Sequence, residues 1–164
     1  MFKKILIPTD GSELSSQAAN KGVTFARQIG AEVLALHVTQ PFAATVGFDG
    51  MAAAYAITDE DYDKTAKEQS QKYLQQILDR AETAGVKATG KSVSNFNVAD
   101  GVVQVAEQEG CDLIFIGSHG RSGLSRLLLG SVTIKVLNMA KNTVLVYRVK
   151  ESDYSFFSPK KKPA

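Results

Sequence analysis

The chain has 164 residues, the size of one domain. Apolar residues make up 44% and charged residues 22%, which excludes a largely disordered chain. The net charge is only +2, with no clustered basic face for nucleic acid or a membrane surface, and the single cysteine, Cys111, excludes an internal disulfide.

The N-terminus, Met1-Phe-Lys-Lys-Ile-Leu-Ile-Pro8, opens like a signal peptide, but the apolar run Ile5–Ile7 is too short for its hydrophobic region. No stretch nears the roughly 20 apolar residues of a membrane span. A cytoplasmic protein without a membrane partner is expected.

Lys4–Pro8 predicts a strand. Thr9-Asp10-Gly11-Ser12 predicts a turn into a helix, with Asp10 and Glu13 spaced as a capping box and Ser12 as the other N-cap candidate. Leu14, Ala18, Gly22, Ala26 and Ile29 follow at helical spacing, and Gly30 stops the helix. Glu32–Thr39 is the second strand. Residues 40–58 form a long connection that is apolar for a loop, with a helical turn expected at 51–56. Asp59–Ala84 predicts a long helix with Tyr62, Ala66, Tyr73, Ile77 and Ala81 on one face and Gly85 at its end. Val86–Val93 alternates small or apolar residues with Lys87, Thr89 and Lys91, the pattern of a half-exposed edge strand. Asn97 caps a helix through Gln108. Asp112–Ile116 is a very apolar strand, followed by a glycine-rich stretch from Gly117 to Gly130. Ser131 is the expected cap of a short helix to Ala140, and Thr143–Val149 is the last strand. Residues 151–164 are polar and end in Ser158-Pro159-Lys-Lys-Lys-Pro163-Ala164, so 1–150 is read as the domain and 151–164 as a flexible basic tail.

This alternation is the signature of an α/β fold with a parallel sheet. Strands one, two and four are apolar on both faces, as strands covered by helices on both sides must be. Right-handed crossovers then give a single-domain, doubly wound, Rossmann-like sheet of five parallel strands. The order 3-2-1-4-5 puts the half-polar third strand at an edge. It also places the switch point between strands one and four, where such sheets bind ligands. Two segments are thereby selected: Pro8–Ser12 and Gly117–Gly120.

Two glycine patterns compete as phosphate loops. Gly85-x4-Gly90-Lys91-Ser92 spells a P-loop, but a P-loop must follow a strand and open a helix so that backbone N–H groups face the phosphates. Here a helix precedes it and a strand runs through it. Gly117-x2-Gly120-x9-Gly130-Ser131 has the right context: it leaves a strand at the switch point and ends at a helix start. Gly117 and Gly120 suit close backbone approach and positive φ. Gly130, Ser131, Val132 and Thr133 would present helix-start N–H groups to an anion. Residues alone leave open an ordinary tight turn into a capped helix.

That spacing, with GSHGRSGLSRLLLGSV around it and ILIPTDGSELSSQAA at the N-terminus, resembles the ATP-binding branch of the universal stress protein family over about residues 2–149. The resemblance implies that Pro8, Thr9 and Asp10 line an ATP pocket (or one for AMP or ADP). It implies that Val38 meets adenine through its backbone and that Ile116 and Gly117 lie by the ribose. Gly120, Gly130, Ser131, Val132 and Thr133 would hold phosphates. His119, between the motif glycines, and Arg121 after it read either as phosphate contacts or as solvent-facing loop residues. Asp10 would bind ribose or a nucleotide-bound Mg2+. A homodimer through strand 143–149, or a higher oligomer, and an unidentified regulatory protein partner are also implied. Met139-Ala-Lys-Asn-Thr143 departs from the family by lacking a proline- and cysteine-containing phrase.

No catalytic residue is assigned. Ser118-His119 are sequence neighbours rather than a nucleophile–base pair, and no G-x-S-x-G elbow occurs. His37 reads as structural, Cys111 as a packed residue, and Asp59–Asp63 as an acidic helix start. Phosphate holders without a base fit a nucleotide-responsive stress-response regulator with at most slow hydrolysis or autophosphorylation. The rival readings are a nucleotide-independent interaction module and a weak ATPase.

Overall fold

The structure is a computed structural model and describes residues 1–42, 59–118 and 129–148. Its elements are β1 (Lys4–Thr9), α1 (Glu13–Ile29), β2 (Glu32–Thr39), α2 (Asp59–Thr83), β3 (Ala88–Ser94), α3 (Val98–Gln108), β4 (Leu113–Gly117), α4 (Ser131–Met139) and β5 (Thr143–Tyr147). All neighbouring strands are parallel, in the order β3-β2-β1-β4-β5. The expected helical turn at 51–56 and the tail 151–164 lie outside the described residues.

Strand periodicity builds two cores, one on each sheet face. Ile5, Ile7, Val33, Ala35, Leu113 and Phe115 pack under α1 and α2. Leu6, Leu34, Leu36, Ile114 and Ile116, one residue out of phase, pack under α3 and α4. α1 sits close because its inner face is small: Ala18, Ala19, Gly22 and Ala26. A Cβ on Gly22 would stand 2.7 Å from Ile7 Cδ1, so the helical glycine is a contact point with the sheet.

Helix ends follow side-chain chemistry, with one correction. Ser12, not Asp10, caps α1, accepting from the Ser15 N–H at 3.2 Å, and Asn97 caps α3 by accepting from Ala99 N at 3.1 Å. At the opposite end of the sheet, the Asp112 carboxylate accepts from the N–H groups of Lys3 and Lys4 at 2.7 and 2.9 Å, which ties the start of β1 to β4.

β1 and β2 pair over six residues, but β1 and β4 pair only at Ile5–Leu113 and Leu6–Ile114. The two central strands part beyond Leu6, close to Pro8, whose missing N–H removes a ladder donor. That parting opens the sheet at its switch point.

The P-loop pattern is dismantled by its place in the fold. Gly85 follows α2 with φ +68°, and β3 runs through Gly90, Lys91 and Ser92. Lys91 Nζ is engaged 2.6 Å from Glu109 Oε1, and Ser92 pairs with His37 across the sheet.

Candidate functional site

The β1–α1 turn is held by short side chains acting on their own backbone. Asp10 Oδ1 accepts from Ser12 N at 3.0 Å, and Thr9 Oγ1 accepts from Gly11 N at 3.1 Å. Thr9 Oγ1 also lies 3.0 Å from Ser15 Oγ, and both residues are buried. Gly11 has φ +76°, and a Cβ there would fall 2.3 Å from the Tyr73 ring. The position therefore requires glycine both for its backbone and for its space.

The β4–α4 connection supplies the opposite wall. Gly130 is the N-cap of α4, with φ −61° and ψ 151° and no side-chain cap bond. This corrects the expectation that Ser131 caps the helix: Ser131 is its first residue. Gly130 also spends its N–H on Ser118 O at 2.8 Å, so it is not one of the donors offered to an anion. The first intrahelical bond is Ile134 N to Gly130 O, so the Ser131, Val132 and Thr133 N–H groups have no partner within the helix. The buried Thr133 hydroxyl donates to Gly117 O at 2.9 Å and locks that start to the end of β4. Gly117 does not adopt the positive φ that glycine would allow there. His119, Gly120 and Arg121 lie outside the described residues.

Between these walls is a cavity of about 470 Å3, a volume suited to a small-molecule ligand. The cavity brings together ten of the thirteen residues singled out from the sequence: Pro8, Thr9, Asp10, Val38, Ile116, Gly117, Gly130, Ser131, Val132 and Thr133. Leu36, Val98 and Val102 make it apolar toward α3, while Thr39, Gln40, Tyr62, Ala66 and Gln69 close it toward α2. Sequence reasoning missed this α2 wall. A signal was present: the face carrying Tyr62, Ala66 and Tyr73 runs on past the core, towards the carboxyl end of β2.

His37 has a double role. It is buried as expected, yet it also lines the cavity. Its Nδ1 is 2.8 Å from Ser70 Oγ, and Ser70 donates its only proton to Ala66 O at 2.7 Å. Ser70 must then accept, so His37 Nδ1 carries a proton. The ring meets Tyr73 edge-on at 5.2 Å. Tyr62 donates its hydroxyl to Gln40 O at 3.0 Å and packs on Phe42.

The electrostatics of the cavity are one-sided. Among the described lining residues Asp10 is the only carboxylate, and none is Lys or Arg. Among the described lining residues, the groups suited to an anion are the N–H groups at the start of α4, reinforced by the helix dipole. Among the described residues no cluster of three or more His, Cys, Asp or Glu is placed to hold a metal ion. No described helix is long and apolar enough to cross a membrane.

Comparison with known proteins agrees with this anatomy. The universal stress protein family matches residues 1–148. Universal stress protein MJ0531 of Methanocaldococcus jannaschii is 36% identical over 150 residues, covering 90% of this chain and 83% of its own. The solved structure of MJ0577 from the same organism is similar with a TM-score of 0.75 at 31% identity, over 92% of this chain and 98% of that one. A universal stress protein family structure from Arabidopsis thaliana, solved with AMP bound, shares the fold at a TM-score of 0.66 and 14% identity, over 97% of each chain. The match spans both glycine-bearing walls of the cavity and every described strand: the chain belongs to the universal stress protein family.

Proposed function

We propose that this protein binds ATP in the switch-point cavity and acts as a nucleotide-responsive dimeric regulator rather than as an efficient enzyme. The observation that carries the reading is the convergence of Pro8–Asp10, Val38, Ile116–Gly117 and Gly130–Thr133 on one cavity at the parting of β1 and β4. The lining suits an adenine nucleotide. Leu36, Val98 and Val102 offer an apolar surface for a base, and the Ser131–Thr133 N–H groups suit phosphate oxygens. Asp10, on the cavity wall, would bind ribose or Mg2+ carried by the phosphates. Mg2+ would enter with the nucleotide's phosphates. When bound, Mg2+ supplies charge neutralisation of the phosphates.

The protein's own groups bind and orient. Among the described lining residues no hydrogen bond joins a His, Asp or Glu side chain to a Ser or Thr hydroxyl of the lining. The His37 Nδ1–Ser70 bond fixes the orientation of the ring on the cavity wall. Regulation by such a ligand requires different affinities for two states of the protein or its assembly. β5 is an edge strand of partly exposed apolar residues, a fitting surface for pairing with a second copy.

Native mass spectrometry of the purified protein and calorimetry with ATP and Mg2+ test the reading. Gly130→Asp puts a carboxylate at the cap of α4 and is expected to abolish binding. Absence of both co-purified nucleotide and calorimetric binding overturns the ATP assignment.

A further inference from the structure

Gly101 stands where helix chemistry disfavours glycine. It is buried in the interior of α3, where alanine is the better helix former, and its φ is not positive. Space, not backbone conformation, sets this position apart. A Cβ on Gly101 would stand 2.8 Å from Val38 Cγ1 and 3.2 Å from both Val38 Cγ2 and Asn95 Cβ. The missing Cβ leaves a recess in α3 that houses both γ carbons of Val38. Val38, Val98 and Val102 line the cavity, whereas Gly101 does not. The recess therefore lies behind the apolar end of the cavity, outside the lining itself.

Filling the recess would move one of the two partners. α3 is anchored: Asn97 caps it, Asn97 N donates to Asn95 Oδ1 at 2.9 Å, and Ala99, Val102, Val103, Val105 and Ala106 are buried in the core. The Val38 backbone is held as well. It pairs with Val93 of β3, and the next carbonyl, Thr39 O, accepts from Asn95 N at 2.9 Å. The Val38 side chain is the part left to turn. It is branched at Cβ and both γ carbons sit in the recess, so rotation about χ1 carries a γ carbon out of it. Around Val38 the remaining contacts are packed core, and the space open to a displaced carbon is the cavity.

We propose that Gly101 is a positioning residue that selects purine over pyrimidine nucleotides: by housing the Val38 side chain it keeps the apolar end of the cavity wide enough for a two-ring base. This rests on the nucleotide-binding reading above. Gly101 touches no ligand and acts through Val38. A carbon pushed into a close-fitting apolar pocket is felt first by the larger base, because a packed wall resists added volume and one methylene is worth about tenfold or more in affinity.

The test is calorimetric titration of the full chain with ATP and Mg2+, with CTP measured by displacement of ATP. The wild type is expected to prefer ATP by about tenfold or more. Gly101→Ala is expected to lower the ATP affinity by about tenfold and the CTP affinity by less than about threefold, so the ratio of the two falls. Loss of both by one common factor marks a purely structural role and overturns the proposal, as does unchanged ATP binding. Val38→Ala on the Gly101→Ala background removes the γ carbons and is expected to bind ATP as Val38→Ala alone does, to within about threefold. A double variant that stays as weak as Gly101→Ala shows that the effect does not pass through Val38 and overturns the proposal. Should Gly101→Ala fail to fold, Val38→Ile overfills the same recess from the strand side and is expected to show the same loss centred on ATP; wild-type ATP binding by that variant overturns the proposal. Equal binding of ATP and CTP by the wild type overturns it while leaving the nucleotide site standing. Failure of the wild type to bind either nucleotide overturns both readings.

Discussion

Gly11→Ala tests how the turn before α1 is built. Gly11 has φ +76°, in the left-handed region, and its missing Cβ would lie 2.3 Å from both Cε1 and Cζ of Tyr73. The backbone part of the penalty is about 1–2 kcal/mol for an L-residue held in that region. The steric part is separate. The Tyr73 ring is the edge-on neighbour of His37 at 5.2 Å, so a shift of the ring toward that side presses on the buried His37–Ser70 pair. Overpacking of this kind costs about 1–3 kcal/mol. The sum, about 2–5 kcal/mol, predicts a fall in melting temperature of about 4–20 °C for a chain of this size. Urea denaturation followed by circular dichroism measures the change directly. The two parts separate in a double-mutant cycle, because Tyr73→Ala removes the clash but not the φ strain. The double variant is expected to be more stable than the sum of the single effects predicts, by about 1–3 kcal/mol. A Gly11→Ala protein within about 0.5 kcal/mol of wild type would refute the reasoning, since surface changes away from special features lie in that range.

Acid stability and thiol chemistry give two further predictions. The Asp112 carboxyl is held below its ordinary 3.8 by the Lys3 and Lys4 N–H groups, and Glu109 below 4.5 by hydrogen bonds from Lys91 and Lys4. Because the folded values are the lower ones, this stabilisation is complete above the unfolded values and is lost as pH falls through the folded ones. The urea midpoint is expected to hold steady from neutral pH down to about pH 5 and then drop. Asp112→Asn is expected to lower the midpoint at pH 7 and flatten the drop, and an unchanged profile counts against the role assigned to Asp112. Burial pushes the Cys111 thiol up to about 11. Native protein at pH 8 is expected to react with a thiol reagent far more slowly than urea-unfolded protein, and equal rates would place the thiol at the surface.

Much of this protein was legible because its signals are local or periodic. The two-phase alternation in Ile5-Leu6-Ile7 and Leu113–Ile116 announces strands covered on both faces, and the mixed polarity of residues 86–93 announces an edge. Together they yield the order β3-β2-β1-β4-β5 without any coordinates. Short-range capping was read less surely. Ser12 and Asn97 were visible as caps, but Gly130 and Ser131 both satisfy the rules for starting a helix. The choice falls on Gly130 because the Ser118 carbonyl takes its N–H and the Gly117 carbonyl takes the Thr133 hydroxyl, contacts made across the chain. Asn142 behaves similarly. The sequence shows only that an expected proline- and cysteine-containing phrase is missing there, whereas the structure shows Asn142 Nδ2 donating to Cys111 O at 2.7 Å.

The sequence by itself determined the fold class, the strand order and the two glycine-bearing segments at the switch point. All of these follow from hydrophobic period and chain connectivity. Only the tertiary structure decided what stands around the cavity and which way its hydrogen bonds run. The α2 wall and the double duty of His37 depend on side chains far apart in sequence, such as His37 with Ser70. Periodicity reports which face of an element is buried. It does not report which partner a polar group finds there, and at this site the partners set the chemistry.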